Sequence, residues 1–189
     1  MQGKRIGVAI TGSFCSFSQV LPVIERLARE NEVTTILSAA AATTDTRFYR
    51  AEDFRRELQR ITGRPPMTTI AEAEQVGPMR LFDVILVAPC TGNTLAKLHH
   101  GITDTAVLMA IKAQVRKDRP VVLALSTNDA LGTSAVNIGG LLNRRNLYFV
   151  PFSQDYHDKK PRSMAARFGL CEQTMEAALE GRQAQPLIL

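Results

Sequence analysis

No apolar run in this sequence is long enough to cross a membrane. Ala106–Ile111 stops at Lys112 and Val121–Leu125 stops at Ser126, whereas a spanning helix needs about 20 largely apolar residues. The opening Met1-Gln2-Gly3-Lys4-Arg5 leads straight into an apolar, β-branched segment, without the apolar core and cleavage site of a secretion signal. A cytoplasmic location is the expectation. Cysteine is scarce: Cys15, Cys90 and Cys171 are an odd number, with no Cys-x-x-Cys and no histidine pair at ligand spacing. That pattern disfavours a zinc site and leaves reduced thiols as the expectation. His99 and His100 are adjacent, so on a helix they point about 100° apart. Also missing are Gly-x-Gly-x-x-Gly, any Walker motif, and an acidic residue at the end of the second strand, where Ser38 stands. These absences weigh against NAD and against ATP.

What is present describes an ordinary globular protein. The chain has 189 residues, 45% of them hydrophobic and 22% charged, enough for a full core in one domain over 1–189. The net charge is +5. Its basic residues are spread along helices, and the tightest late group is Lys159-Lys160-Pro161-Arg162 with few aromatics beside it. That reads as a solvated surface rather than a nucleic-acid face. A small anionic ligand in a cleft would use the same charge.

Five continuous apolar runs predict buried strands: Arg5–Ile10, Val33–Ser38, Asp83–Ala88, Pro120–Leu125 and Leu147–Val150. Runs of this kind suit a parallel sheet covered on both faces. Helical spacing predicts Gln19–Glu30, Ala51–Ile61, Asn93–His100, Thr105–Lys117, Ser134–Asn143 and Ser163–Leu179. Gly63–Arg80, with Pro65, Pro66 and Pro78, reads as an irregular excursion. Alternating strands and helices predict an α/β fold, a three-layer, doubly wound, Rossmann-like and mostly parallel sheet.

Ligands of such sheets bind beyond the carboxyl ends of the strands. Four strand ends here are small and polar: Thr11-Gly12-Ser13 with Ser16 and Ser18, Ser38 followed by Thr43-Thr44-Asp45, Cys90-Thr91-Gly92-Asn93-Thr94, and Ser126-Thr127-Asn128-Asp129. One such loop is explained by helix capping; four on one edge point to a binding crevice. Gly12-Ser13 is the phosphate candidate, because glycine admits close backbone approach and the next helix start offers free N–H groups. A mononucleotide with one phosphate fits this set better than a dinucleotide.

The segment Pro89-Cys90-Thr91-Gly92-Asn93-Thr94-Leu95-Ala96-Lys97, continued by Gly101-Ile102-Thr103-Asp104, resembles the signature of the homo-oligomeric flavin-containing cysteine decarboxylase superfamily. Within it the chain is most similar to the branch formed by dipicolinate synthase B subunits. That branch is marked by Thr44-Asp45-Thr46-Arg47-Phe48, Ser126-Thr127-Asn128-Asp129, and Tyr148–Asp155 with Lys159-Lys160-Pro161-Arg162-Ser163. The resemblance implies a single flavoprotein-like domain that binds FMN and assembles into trimers or multiples of them. It implies a dihydrodipicolinate substrate, a dicarboxylate, oxidised to dipicolinic acid in sporulation, and partnership with an A subunit. Carried over by position, it implies flavin contacts at Gly12, Ser13, Phe14, Ser38, Thr91, Gly92, Asn93, Thr94 and Ser126. Asn128 becomes the candidate for handling the substrate carboxylate, and Asn93 a further candidate catalytic residue. Two departures stand out. The superfamily's Pro-Ala-Met-Asn is Leu125-Ser126-Thr127-Asn128 here, and no histidine lies between Ser38 and Cys90, which argues against cysteine-type decarboxylation.

A substrate with two carboxylates calls for cations, and Arg47, Lys159, Lys160 and Arg162 are the candidates; each is equally an ordinary surface residue. Cys90 is a packing thiol rather than a nucleophile, since no histidine is visibly paired with it. His157 is an exposed loop histidine or an acid/base group. The competing readings are an FMN-dependent decarboxylase, a flavin prenyltransferase of the same superfamily, an electron carrier, and a non-catalytic partner of the A subunit.

Overall fold

The computed structural model describes residues 1–189. Strand β1 (Arg5–Ile10) is flanked by β2 (Glu32–Leu37) on one side and β3 (Val84–Cys90) on the other; β4 (Val121–Thr127) and β5 (Leu147–Phe149) follow beyond β3, all parallel. Every residue of β3 is buried, which is why its sequence is continuously apolar instead of alternating. Helices α1 (Phe17–Glu30), α3 (Ala51–Thr62) and α8 (Cys171–Leu179) cover one face; α5 (Gly92–His99), α6 (Ala106–Val115) and α7 (Ser134–Leu142) cover the other. Two short helices, α2 (Ala39–Thr43) and α4 (Ile70–Glu74), complete the set. The doubly wound, mostly parallel architecture is the expected one. A single core of 49 buried residues runs from Ile6 to Ala178.

Local chemistry sets most boundaries. Helix α1 buries Phe17, Val20, Val23, Ile24 and Leu27, the spacing of one helical face. Helix α3 ends at Gly63, whose φ of +69° lets its N–H reach Gln59 O at 2.8 Å, a left-handed stop that glycine adopts without Cβ strain. The expected irregular excursion holds two ordered pieces. Met67 bonds to Thr35 O and Leu37 N along the outer edge of β2, and Thr69 with Glu72 forms a capping box at the start of α4.

The expected helix Ser163–Leu179 is corrected. Its first part is a strand, β7 (Met164–Ala166), antiparallel both to the end of β4 and to β6 (Phe152–Gln154); a 3-10 turn, Phe168–Leu170, precedes α8. The cause is non-local. Pairing of β4 with β5 ends at Leu123 and Phe149, so Ser126 and Thr127 need another partner for their backbone groups, and β7 supplies it. The outer edge of β5 is closed by Gln183, whose amide accepts from Phe149 N–H at 2.8 Å and donates to Phe149 O at 2.7 Å. No helix is long and apolar enough to cross a membrane.

Candidate cofactor cleft

The chain leaves β1 toward β2 on one side and returns through β3 on the other, and the crevice at such a reversal is where open α/β sheets bind ligands. A cleft of about 740 Å³ lies there, within the usual range for small-molecule sites. One wall comes from the strand ends: Gly12, Ser13 and Ser16 after β1, Thr91 and Gly92 after β3, and Ser126, Thr127 and Asn128 at the end of β4. The facing wall is the β6–β7 hairpin with the residues after it, including Asp155, Tyr156, Lys160, Ser163, Arg167 and Phe168.

The strand-end wall centres on three hydroxyls. Ser126 Oγ lies 2.8 Å from Ser13 Oγ and 2.9 Å from Ser16 Oγ, and the two serines after β1 are 3.3 Å apart. Each hydroxyl carries one rotatable proton and two lone pairs, so the group can turn its protons toward an anion or a polyol. The 3-10 turn Phe14–Ser16 and α1 begin here, and no side chain caps either start. The positive end of α1 lies at this wall, with Ser16 N–H and Phe17 N–H already bonded to Ser13 O and Phe14 O.

The loop after β3 is held by Thr11. Its hydroxyl donates to Pro89 O at 2.7 Å and accepts from Thr91 N–H at 3.0 Å. Thr91 Oγ1 then caps α5 by accepting from Thr94 N–H at 3.3 Å. Gly92 is the one position in the wall where a side chain has no room: a Cβ would stand 2.7 Å from Ser134 Oγ and 2.8 Å from Thr127 Oγ1.

On the facing wall, Ser163 Oγ donates to Asp155 Oδ1 at 2.6 Å and lies 3.3 Å from Asn128 Oδ1. Gln154 Nε2 donates to Pro161 O at 2.9 Å, and Leu131 N–H donates to Arg162 O at 3.0 Å. These bonds tie the hairpin loop to the turn after β4. Lys160 and Arg167 both line the cleft, and neither is in an ion pair. Ala165, Ala166 and Phe168 add an apolar strip.

Of the residues expected at the site, Gly12, Ser13, Thr91, Gly92, Ser126, Asn128 and Lys160 come together around the cleft. The others stand apart from its lining. Phe14 packs on Phe17, with ring centroids 5.4 Å apart. Ser38 caps α2 by accepting from Ala41 N–H. Asn93 is exposed on the first turn of α5, and Thr94 is buried against the Thr91 hydroxyl at 3.0 Å. Arg47 lies 4.9 Å from the Phe48 ring centre, outside the cleft; Lys159 and Arg162 are exposed in the hairpin loop. Cys90 is fully buried, and burial pushes its thiol far above the ordinary range, so it packs the core. His157 is exposed beside Asp158, 3.1 Å away. Sequence reasoning missed Arg167 and did not single out Ser16 or Thr11 as site residues.

The fold and the cleft define a flavoprotein. The flavoprotein family model matches residues 1–148, and the chain belongs to that family. Over its whole length it is 42% identical to the dipicolinate synthase B subunit of Bacillus subtilis (strain 168), spanning 95% of that protein. The crystal structure of the dipicolinate synthase B subunit from Bacillus halodurans superposes with a TM-score of 0.91 at 40% identity, covering 100% of this chain and 97% of that one. The FMN-dependent cysteine decarboxylase SpaF shares the fold at a TM-score of 0.69 and 22% identity, over 94% of this chain and 95% of its own.

Proposed function

We propose that this chain is the FMN-binding B subunit of a dipicolinate synthase, acting in the cytoplasm with an A subunit to oxidise dihydrodipicolinate to dipicolinic acid. The observation that carries the reading is the Ser13–Ser16–Ser126 hydroxyl cluster at an uncapped helix start. A phosphate and a ribityl chain need such donors, and no carboxylate takes part in the cluster. The apolar strip of Ala165, Ala166 and Phe168 suits a flat ring. The residues present therefore fit FMN, with Gly12, Ser13, Ser16, Thr91, Gly92 and Ser126 holding it.

Bound flavin supplies a two-electron acceptor; the substrate loses a hydride equivalent and a proton as its ring becomes aromatic. The protein's part is to bind and orient. Lys160 and Arg167 have no internal carboxylate partner and line the cleft, so they attract a dicarboxylate and set its direction. Asn128, exposed at the turn after β4, offers amide donors to the same carboxylates. The Ser163–Asp155 bond holds the loop that carries Lys160.

The test is spectroscopic. The purified chain is titrated with FMN, the released nucleotide is chromatographed, and dihydrodipicolinate oxidation is assayed with and without the A subunit. Stoichiometric FMN binding, and bleaching of its absorbance by substrate, are the expected results. A chain that binds no FMN, alone or with the A subunit, would sink the proposal.

A further inference from the structure

Turning a dihydropyridine ring into an aromatic one removes a proton as well as a hydride, and that proton needs an acceptor at the site. None of the three histidines lines the cleft. Its titratable side chains are Cys15, Asp129, Asp155, Tyr156, Lys160 and Arg167. At neutral pH an ordinary thiol, phenol, ammonium or guanidinium holds its proton, whereas an ordinary carboxyl group has lost its own. The choice is therefore between Asp129 and Asp155.

The two carboxylates are held differently. Asp129 belongs to the turn after β4, where its carbonyl accepts from Gly132 N–H at 3.1 Å and from Ser134 N–H at 3.2 Å. Its Oδ1 lies over Gly132, in the space that a Cβ would fill there, so the side chain folds back on its own turn. Asp155 follows the end of β6, opposite Ser163 just before β7, and the bond from Gln154 to Pro161 O closes the hairpin beside it. Ser163 is 2% exposed, so its hydroxyl has to spend its one proton inside the protein. That proton goes to Asp155 Oδ1 at 2.6 Å, the short distance of a bond to a charged acceptor. Asp155 Oδ2 has no partner in the chain, and no cation pairs with the group. One oxygen fixed by an orienting group and the other free is the arrangement a general base requires. Lys160 and Arg167 line the same cleft and offset the added negative charge.

We infer that Asp155 is the general base of the oxidation, an inference that rests on the flavin-dependent reaction proposed above. One ring C–H bond of the dihydro substrate breaks with its electron pair, which leaves as hydride to the oxidised flavin. A neighbouring ring C–H bond breaks the other way. Its proton passes to Asp155 Oδ2, and its electron pair becomes the new ring double bond. Asp155 then returns the proton to water. The Ser163 bond keeps the carboxylate turned so that Oδ2, not Oδ1, meets the substrate.

Asp155→Asn keeps the shape and an oxygen for Ser163 but no longer takes a proton. The FMN-loaded chain, with the A subunit, is assayed for turnover of dihydrodipicolinate. Calorimetry measures its affinity for dipicolinate, and FMN titration with a thermal melt establishes that each variant is folded. The expected result is a kcat lower by about 100-fold or more, with KM, melt and FMN affinity close to wild type. Dipicolinate should bind at least as tightly, because a negative charge has gone from beside a dianion. Asp155→Ala should recover part of its kcat in added formate and none in chloride at the same ionic strength. Turnover of Asp155→Asn within about threefold of wild type would overturn the assignment and leave the FMN-binding subunit standing. So would a loss that lies wholly in FMN or dipicolinate affinity, or one that follows Asp129→Asn instead. Wild type that binds no FMN, or that binds it and oxidises no dihydrodipicolinate with the A subunit, would overturn the reading of the protein and this inference together.

Discussion

The backbone N–H of Thr91 donates to the hydroxyl of Thr11 at 3.0 Å, joining the end of β1 to the loop after β3. Pro89 brings no N–H to the sheet, and pairing of β3 with β4 slips between Val87 and Cys90. A side chain from the neighbouring strand supplies what the ladder lacks. Thr11→Val keeps the shape and removes both the acceptor for Thr91 and the donor to Pro89. The expected cost is about 1–3 kcal/mol for the polar group left unpaired, read as a lower urea midpoint at unchanged slope. FMN affinity falls with it, because Thr91 and Gly92 line the cleft. A variant as stable as wild type would mean that Thr91 N–H finds another acceptor.

Gly92→Ala tests crowding at the same wall. Its Cβ would enter within 2.8 Å of the hydroxyls of both Ser134 and Thr127, so one side chain or the start of α5 has to move. A loss of about 1–3 kcal/mol is expected, as for overpacking in general. Adding Ser134→Ala removes one of the two clashes and returns part of the loss. Two single effects that simply add would show that Ser134 is not the obstacle.

The parallel sheet was legible because burial on both faces writes itself into consecutive residues: Arg5–Ile10 is the same strand in sequence and structure. The strand-end wall was legible for a related reason, since Gly12, Ser13, Thr91, Gly92, Ser126 and Asn128 break apolar runs with small polar groups. Capping and ligand binding draw on the same residue types, however, and Ser38 and Thr94 spend their bonds within the chain. Helical phase separates Ser16, which is 5% exposed, from Ser18, which faces solvent. Of the facing wall only Lys160 was legible. Met164-Ala165-Ala166 forms a strand only because β4 outruns β5, and that need appears nowhere in the local sequence, so Arg167 went unseen with it.

Ser126 is the hinge of the hydroxyl cluster, within 2.9 Å of both Ser13 and Ser16. Ser126→Ala leaves β4 paired, so the melt is expected to shift little. A hydrogen bond to a charged group contributes about 1.5–3 kcal/mol, so FMN binding should weaken by about tenfold or more. Ser13→Ala should behave alike, and the double variant should lose less than the product of the two. Unchanged FMN affinity in both singles would move the phosphate away from this cluster.

The thiols give an inexpensive check on the core. Cys15 is exposed, Cys90 and Cys171 are buried, and burial holds the Cys171 thiol near a pKa of about 12. A native protein treated with a disulfide reagent at pH 8 should therefore release one equivalent quickly, and three only after denaturation. A second fast thiol would mean that β3 or α8 opens readily.

Asp83 sets the acid response of the sheet's amino-terminal edge. Its Oδ2 accepts from Arg5 N–H at 2.9 Å, and its Oδ1 accepts from the guanidinium groups of Arg5 and Arg119 at 3.0 and 3.1 Å. Burial alone would raise its pKa; the bonds from Arg5, with that from Arg119, outweigh burial and hold the carboxyl below its ordinary value. A carboxyl whose pKa is lower folded than unfolded adds stability that is complete above the unfolded value, near 4, and is lost as the pH falls through the folded value. Asp83→Asn should therefore cost about 1–2 kcal/mol at pH 7. That gap should persist at pH 5 and shrink below about pH 4, because the wild type then loses the charge that the variant never had. Urea unfolding of both chains at pH 7, 5, 4 and 3 measures it. A gap that stays constant down to pH 3 would show that the Asp83 charge does not join β1 to the approach to β4.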